Sequence, residues 1–131
     1  MTDIELLRGA WSAFERGDLD TATDLNVDMW AGRSSPEVRE LVRTMQRNAF
    51  AKQAEAEPEP VEIEPPASTR LGSISVRTDV VHGDHDVDDF RAIAERLAGE
   101  LPDARLHRVE GAGHLPALDR PEAVAEILLG G

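Results

Sequence analysis

The sequence predicts an α/β protein in which an N-terminal helical segment precedes a C-terminal βαβα unit. Three observations carry this reading. Apolar residues recur at helical spacing through residues 1–52, a proline- and glutamate-rich stretch interrupts the chain at 53–69, and short β-branched runs then alternate with helical patterns over 70–131. These three spans are the expected divisions: a helical segment, an acidic linker and an α/β unit.

Thr2 and Glu5 form a capping box for the first helix, in which Ile4, Leu7, Trp11 and Phe14 make the apolar stripe and Gly17 ends it. Asp18 caps a second helix with Leu19, Ala22, Leu25 and Met29 on one face and Trp30 ahead of Gly32. Ser35 and Pro36 start a third, with Val38, Leu41, Val42, Met45 and Ala49 as its buried stripe. Trp11, Phe14 and Trp30, lying on these stripes, read as core or interface residues rather than as a substrate platform.

From Gln53 to Thr69 the text is QAEAEPEPVEIEPPAST, with prolines at 58, 60, 65 and 66 that block helix continuation. No basic anchor accompanies them, so the stretch reads as a linker and not as a ligand for a proline-binding domain. After it, Ile74 to Gly83 is a strand, Phe90, Ile93, Ala94, Leu97 and Leu101 mark a helix up to Pro102, and Leu106 to Val109 is a second strand. Asp119 and Glu122 suggest another capping box before Val124, Ile127 and Leu128. Strand, helix, strand, helix predicts a parallel pair joined by a right-handed crossover.

Composition excludes several functions. The formal charge of −12 divides as −2 over 1–52, −5 over 53–69 and −5 over 70–131, and the arginines are dispersed among carboxylates, so a nucleic-acid partner is not expected. Cysteine is absent, which removes disulfides and thiolate chemistry and favours a cytoplasmic setting. The start, MTDIELLRGAW, lacks the basic and apolar regions of a signal peptide, and no run approaches the roughly 18–20 apolar residues of a membrane span.

The chemistry lies in two motifs. VVHGDHD, Val80 to Asp86, runs an apolar stretch into a Gly-x-x-Asp turn; GAGHLP, Gly111 to Pro116, sets a histidine in a glycine-flanked loop. A histidine titrating near neutrality takes a proton from a hydroxyl when a carboxylate fixes its tautomer and stabilises the imidazolium, and Asp86 and His114 at neighbouring strand ends suit that pairing. Gly111 and Gly113 free the backbone to aim the side chain. His82, Asp84, His85, Asp86, Asp88 and Asp89 are donor types that suit a divalent metal. Their placement argues otherwise: His82 ends a strand, Asp84 and Asp86 alternate in a turn, and Asp88 reads as a helix cap. His107 reads as a surface residue, and Asp79, within a strand, must face water or find a partner.

These motifs resemble the C-terminal part of the α/β-hydrolase superfamily, from about Leu71 to Leu129. The resemblance implies that Asp86 is the acid and His114 the base of a catalytic triad, and that residues 17–50 correspond to the end of the helical cap. The fold's chain order is nucleophile, acid, histidine. None of Ser12, Ser34, Ser35, Ser68, Ser73 or Ser75 lies in the Gly-x-Ser-x-Gly elbow such an enzyme needs, and Arg77 stands where the family usually has proline. The implied function is serine-type hydrolysis of an ester or related bond in a small-molecule substrate, by a C-terminal part that lacks its nucleophile and is inactive until an N-terminal half completes it. No cofactor and no metal is called for. The alternative is a non-enzymatic association module descended from a hydrolase. Two strands leave an open edge, so a homo-oligomer or a partner chain is expected to dock through residues 74–82 and the helical stripes.

Overall fold

Leu6, Ala10 and Ala13 bury one face of the first helix against the second, and the small alanines let the two approach closely. A computed structural model describes residues 1–56 and 59–130. Within these, α1 spans Asp3–Glu15, α2 Leu19–Ala31 and α3 Pro36–Glu55; turns of 3₁₀ helix at Ala67–Thr69 and Leu71–Ser73 lead to β1, Thr78–Gly83. Then come α4, Asp88–Glu100; β2, Ala104–Val109; α5, Pro116–Asp119; and α6, Pro121–Leu128.

The expected starts of the first three helices are present. The Thr2 hydroxyl accepts from the Glu5 N–H while the Glu5 carboxylate accepts from the Thr2 N–H, the Asp18 carboxylate accepts from the Thr21 N–H, and the Ser35 hydroxyl accepts from the Val38 N–H. The buried faces differ from the stripes read in the sequence. Ile4, Leu7 and Trp11 of α1 are exposed, as are Leu41 and Met45 of α3, and α2 buries Ala22, Thr23, Val27 and Ala31. The larger apolar residues defined a periodicity, but the small ones define where the backbones meet. Leu25 shows the same rule, its methyl group lying where a Cβ on Gly9 would come within 3.0 Å. Thr23, although buried, donates its hydroxyl to the Leu19 carbonyl at 2.7 Å.

Helices α2 and α3 form an antiparallel pair whose register is marked by ion pairs. Arg39 meets Asp28, Arg43 meets Asp24 and Arg47 meets Asp20, each step one turn forward on α3 and about one turn back on α2. Exposed pairs contribute only about 0–1 kcal/mol each, so burial of Val27, Ala31 and Val42 supplies the cohesion and the arginines set which face of α3 turns outward. Leu115 and Leu118 pack on that same cluster, attaching the helical layer to the α/β unit. A second cluster joins Ala13, Ala22 and Phe50, with the Phe14 and Phe50 rings 5.2 Å apart.

Helix α3 ends at Glu55, before the prolines of the acidic stretch; Pro58, one of those prolines, lies outside the described residues. Strand β1 starts at Thr78, not Ile74, because its partner begins only after the turn at Pro102 and Asp103: the Thr78 N–H donates to the Asp103 carbonyl and no ladder exists upstream. The two strands are parallel and in register from Thr78 beside Ala104 to Gly83 beside Val109, with α4 as the crossover. Among the described residues β1 pairs on one side only. No helix among them is long and apolar enough to cross a membrane.

Val27 is fully shielded at the centre of the α2–α3 contact. Val27→Ala is expected to lower the unfolding free energy by about 1–3 kcal/mol, whereas Arg43→Ala is expected to cost less than about 1 kcal/mol; urea titration of both variants measures the contrast, and an equal loss would contradict this division.

Candidate active site

The two chemical motifs sit at the C-terminal ends of the paired strands, where the backbone must turn. Gly83 closes β1 so tightly against the histidine loop that a Cβ there would lie 2.1 Å from the Ala112 carbonyl oxygen and 2.2 Å from that of Gly113. Only glycine fits. The turn and the loop are then stitched together: the His85 N–H donates to the Ala112 carbonyl at 2.9 Å, and the Gly111 N–H donates to the Asp84 carboxylate at 2.8 Å. Gly111 has φ of +73°, which glycine adopts without penalty. Gly113 has no such φ, but a Cβ on it would meet the Trp30 carbonyl at 3.1 Å, a tight approach.

This stitching brings Asp86 and His114 together. The His114 Nδ1 lies 3.0 Å from one carboxylate oxygen of Asp86 and 3.1 Å from the other, and Asp86 is almost wholly shielded from water. The Val87 N–H also donates to Asp86, at 2.8 Å. A carboxylate beside Nδ1 favours the tautomer with the proton on Nδ1, which leaves Nε2 as a free acceptor. The imidazole is further held by two neighbouring rings: Trp30 from α2 at a centroid distance of 4.4 Å and Phe90 from α4 at 4.5 Å, edge-on. The His114 N–H donates to the Trp30 carbonyl at 3.3 Å. Such an arrangement can accept a proton at Nε2 and stabilise the resulting imidazolium through Asp86.

The other candidates have separate partners. His82 is buried with Nδ1 3.0 Å from the Gly83 carbonyl, and His107 meets Asp79 at 2.7 Å, so the carboxylate within β1 is paired by the histidine first read as a plain surface residue. That hydrogen bond holds the Asp79 carboxyl below its ordinary range. Burial opposes ionisation of Asp84, but the Gly111 N–H and the positive charge of His85 and Arg108 outweigh it, and its carboxyl also lies below the ordinary value of 3.8. Asp88 is the first residue of α4 and pairs with Arg91, while Val87 holds the cap position. Among the described residues no three His, Asp or Glu side chains gather as metal ligands.

Sequence reasoning missed three supports of the pair. Trp30 had been assigned to core or interface, yet it lies on the imidazole. Asp119 was read as a helix cap; it instead ends α5 and accepts the Gly113 N–H at 2.8 Å, while α6 starts after Arg120 with no side-chain cap. The need for glycine at 83 comes from a loop far along the chain, which no local pattern encodes.

A model of the "Alpha/beta hydrolase family" matches residues 2–127. Over 58 residues the chain is 40% identical to a pimeloyl-[acyl-carrier protein] methyl ester esterase of Aromatoleum aromaticum, a span of 44% of this chain and 23% of that protein. Among solved structures it is similar to MenH from S. aureus, with a TM-score of 0.68 and 16% identity over 99% of this chain and 53% of that one. It is also similar to a thermophilic esterase from Thermogutta terrifontis, with a TM-score of 0.69 and 23% identity over 98% and 48%. At these identities the structural likeness speaks for the fold. The chain thus spans about half the length of these solved structures and less of the curated relative.

Two outcomes test the site's construction. Gly83→Ala is expected to force the turn off the histidine loop at a cost of about 1–3 kcal/mol or more, and to weaken the Asp86–His114 contact; wild-type stability by thermal unfolding would contradict it. Because folding lowers the Asp84 pKa, its ionised form stabilises the fold above 3.8 and that contribution is lost as pH falls through the lowered value. The stability gap between wild type and Asp84→Asn is therefore expected to be full near neutrality and to close in acid, and a pH-independent gap would refute the assignment.

Proposed function

This chain belongs to the alpha/beta hydrolase family, and we propose that it supplies the acid and base, Asp86 and His114, of an ester-hydrolysing site whose nucleophile comes from sequence outside these 131 residues. The observation that carries this reading is the bifurcated contact of His114 Nδ1 with both oxygens of a shielded Asp86. A carboxylate so placed has one chemical use that plain burial would not need: it stabilises positive charge on the ring after Nε2 has taken a proton. The esterase named among the relatives supports an ester as the bond attacked.

Among the described residues no hydroxyl nucleophile stands beside His114. His114 hydrogen-bonds no serine or threonine hydroxyl among the described residues, and the cavities at its ring have no hydroxyl side chain in their walls. Ser35 caps α3 and the Ser73 hydroxyl donates to the Arg70 carbonyl. The open edge of β1 and the apolar residues Ile74 and Val76 beside it are the surface on which further sheet would build. A second reading, association without catalysis, draws on the exposed Ile4, Leu7 and Trp11 stripe of α1.

Alone, the purified chain is expected to hydrolyse short-chain p-nitrophenyl esters no faster than buffer. Supplied with an N-terminal hydrolase segment that carries Gly-x-Ser-x-Gly, it is expected to gain turnover that falls by about 100-fold or more in His114→Ala and in Asp86→Asn. Turnover that survives both substitutions would overturn the reading, and complex formation with no turnover would favour association.

A further inference from the structure

Three aromatic rings meet at the base, each from a different element. Trp30 lies in the last turn of α2, Phe90 in the first turn of α4, and His114 in the loop after β2. The Trp30 and His114 centroids are 4.4 Å apart with the planes 36° from parallel, Phe90 meets His114 at 4.5 Å and 64°, and Trp30 meets Phe90 at 5.7 Å and 80°. Every pair is therefore in contact. The first separation is too short for rings lying edge to edge, so the imidazole overlaps the indole face.

Burial alone does not account for this grouping, because Phe90 keeps 40% of its surface exposed and Trp30 is only partly buried. The face of an indole carries negative charge density and attracts a cation within about 6 Å, more strongly than other aromatic side chains do. A neutral imidazole gains little from that density, whereas the imidazolium formed when Nε2 takes a proton gains more. The titratable groups that face the ring are Asp86 at Nδ1 and His82 in the wall of a cavity both histidines line, with Asp119 one residue away on the Gly113 N–H. Helices α3 and α5 present uncharged Met45, Gln46 and Pro116. Trp30 also grips the loop through its backbone, its carbonyl accepting the His114 N–H. That bond does not depend on the side chain at position 30, so the ring can be tested by itself.

We propose that Trp30 is a positioning residue for the base: its indole face, with Phe90 braced against both rings, holds His114 on Asp86 and favours the imidazolium over the neutral ring. The proposal rests on the hydrolase reading for the use made of that proton, but the ring's effect on His114 does not. It makes the helical layer a contributor to the base's proton affinity, since withdrawing α2 removes the indole face and leaves Asp86 as the one stabiliser of the charge in direct contact.

Proton NMR of the histidine rings against pH tests this in the isolated chain. In Trp30→Leu the half-titration point of His114 is expected to fall by about half a pH unit or more, and in Trp30→Phe by less, while His107, paired with Asp79, is unmoved. Fluorinated tryptophan separates charge from packing, because fluorine drains the indole face with little change of shape. With the exposed Trp11 replaced by Trp11→Phe, Trp30 is the one tryptophan left to carry the label. Mono-, di- and trifluorinated indole are then expected to lower the His114 half-titration point stepwise, with unchanged circular dichroism. In the complemented enzyme the acid limb of kcat/KM is expected to move to lower pH by the same interval. The titration needs no nucleophile, so absent turnover in the complemented wild type would refute the hydrolase reading while the fluorine series still decides this one. A half-titration point indifferent to fluorination, or raised in folded Trp30→Leu, would overturn the proposal.

Discussion

The contact on which the site depends is between two backbones, not two side chains. Gly83 at the end of β1 lies so close to the Ala112 and Gly113 carbonyls that any side chain would separate them. The separation matters because Asp86 stands three residues beyond Gly83 and His114 one residue beyond Gly113, so a shift of either turn is carried directly to the carboxylate or the ring. Parallel pairing of β1 and β2 brings the two strand ends side by side. The cross-links from His85 to Ala112 and from Gly111 to Asp84 then convert adjacency into fixed geometry. A pair of strands alone would not do this, since a two-stranded sheet is marginal without further packing.

That further packing comes from the helical layer, and Trp30 is where it meets the chemistry. Its carbonyl accepts the His114 N–H, its ring lies on the imidazole, and the neighbouring Ala31 shares a buried cluster with Leu115 and Leu118 packed against it. The helices therefore act as one wall of the site and not as a separate lobe. The arginine–aspartate series between α2 and α3 adds little energy but orients α3, which leaves apolar surface facing the histidine.

Much of this was legible in the sequence, and what was not has a common cause. Helix starts at Thr2, Asp18 and Ser35 are local events, settled by side-chain oxygens within three residues, and each could be read directly. The pairing of Asp86 with His114 was likewise approachable, because glycine-flanked turns at strand ends advertise themselves and a known family uses the same motifs. Burial was harder. Ile4, Leu7 and Trp11 have the right period for a core stripe, yet Leu6, Ala10 and Ala13 have it too, and only the partner helix decides between them. The same limit hid Trp30, Asp119 and the steric demand at Gly83, all of which act on residues distant in sequence.

The chain belongs to the family, covers about half of each of these structural neighbours and holds the Asp86–His114 pair. The central claim is that the Asp86–His114 pair is already assembled within these 131 residues. Nitrogen-15 chemical shifts of the His114 ring in the isolated chain test it most directly. The account predicts the Nδ1–H tautomer, with a low-field Nδ1 proton that disappears in Asp86→Ala. A ring protonated at Nε2 instead, or averaged between tautomers and indifferent to Asp86, would contradict it.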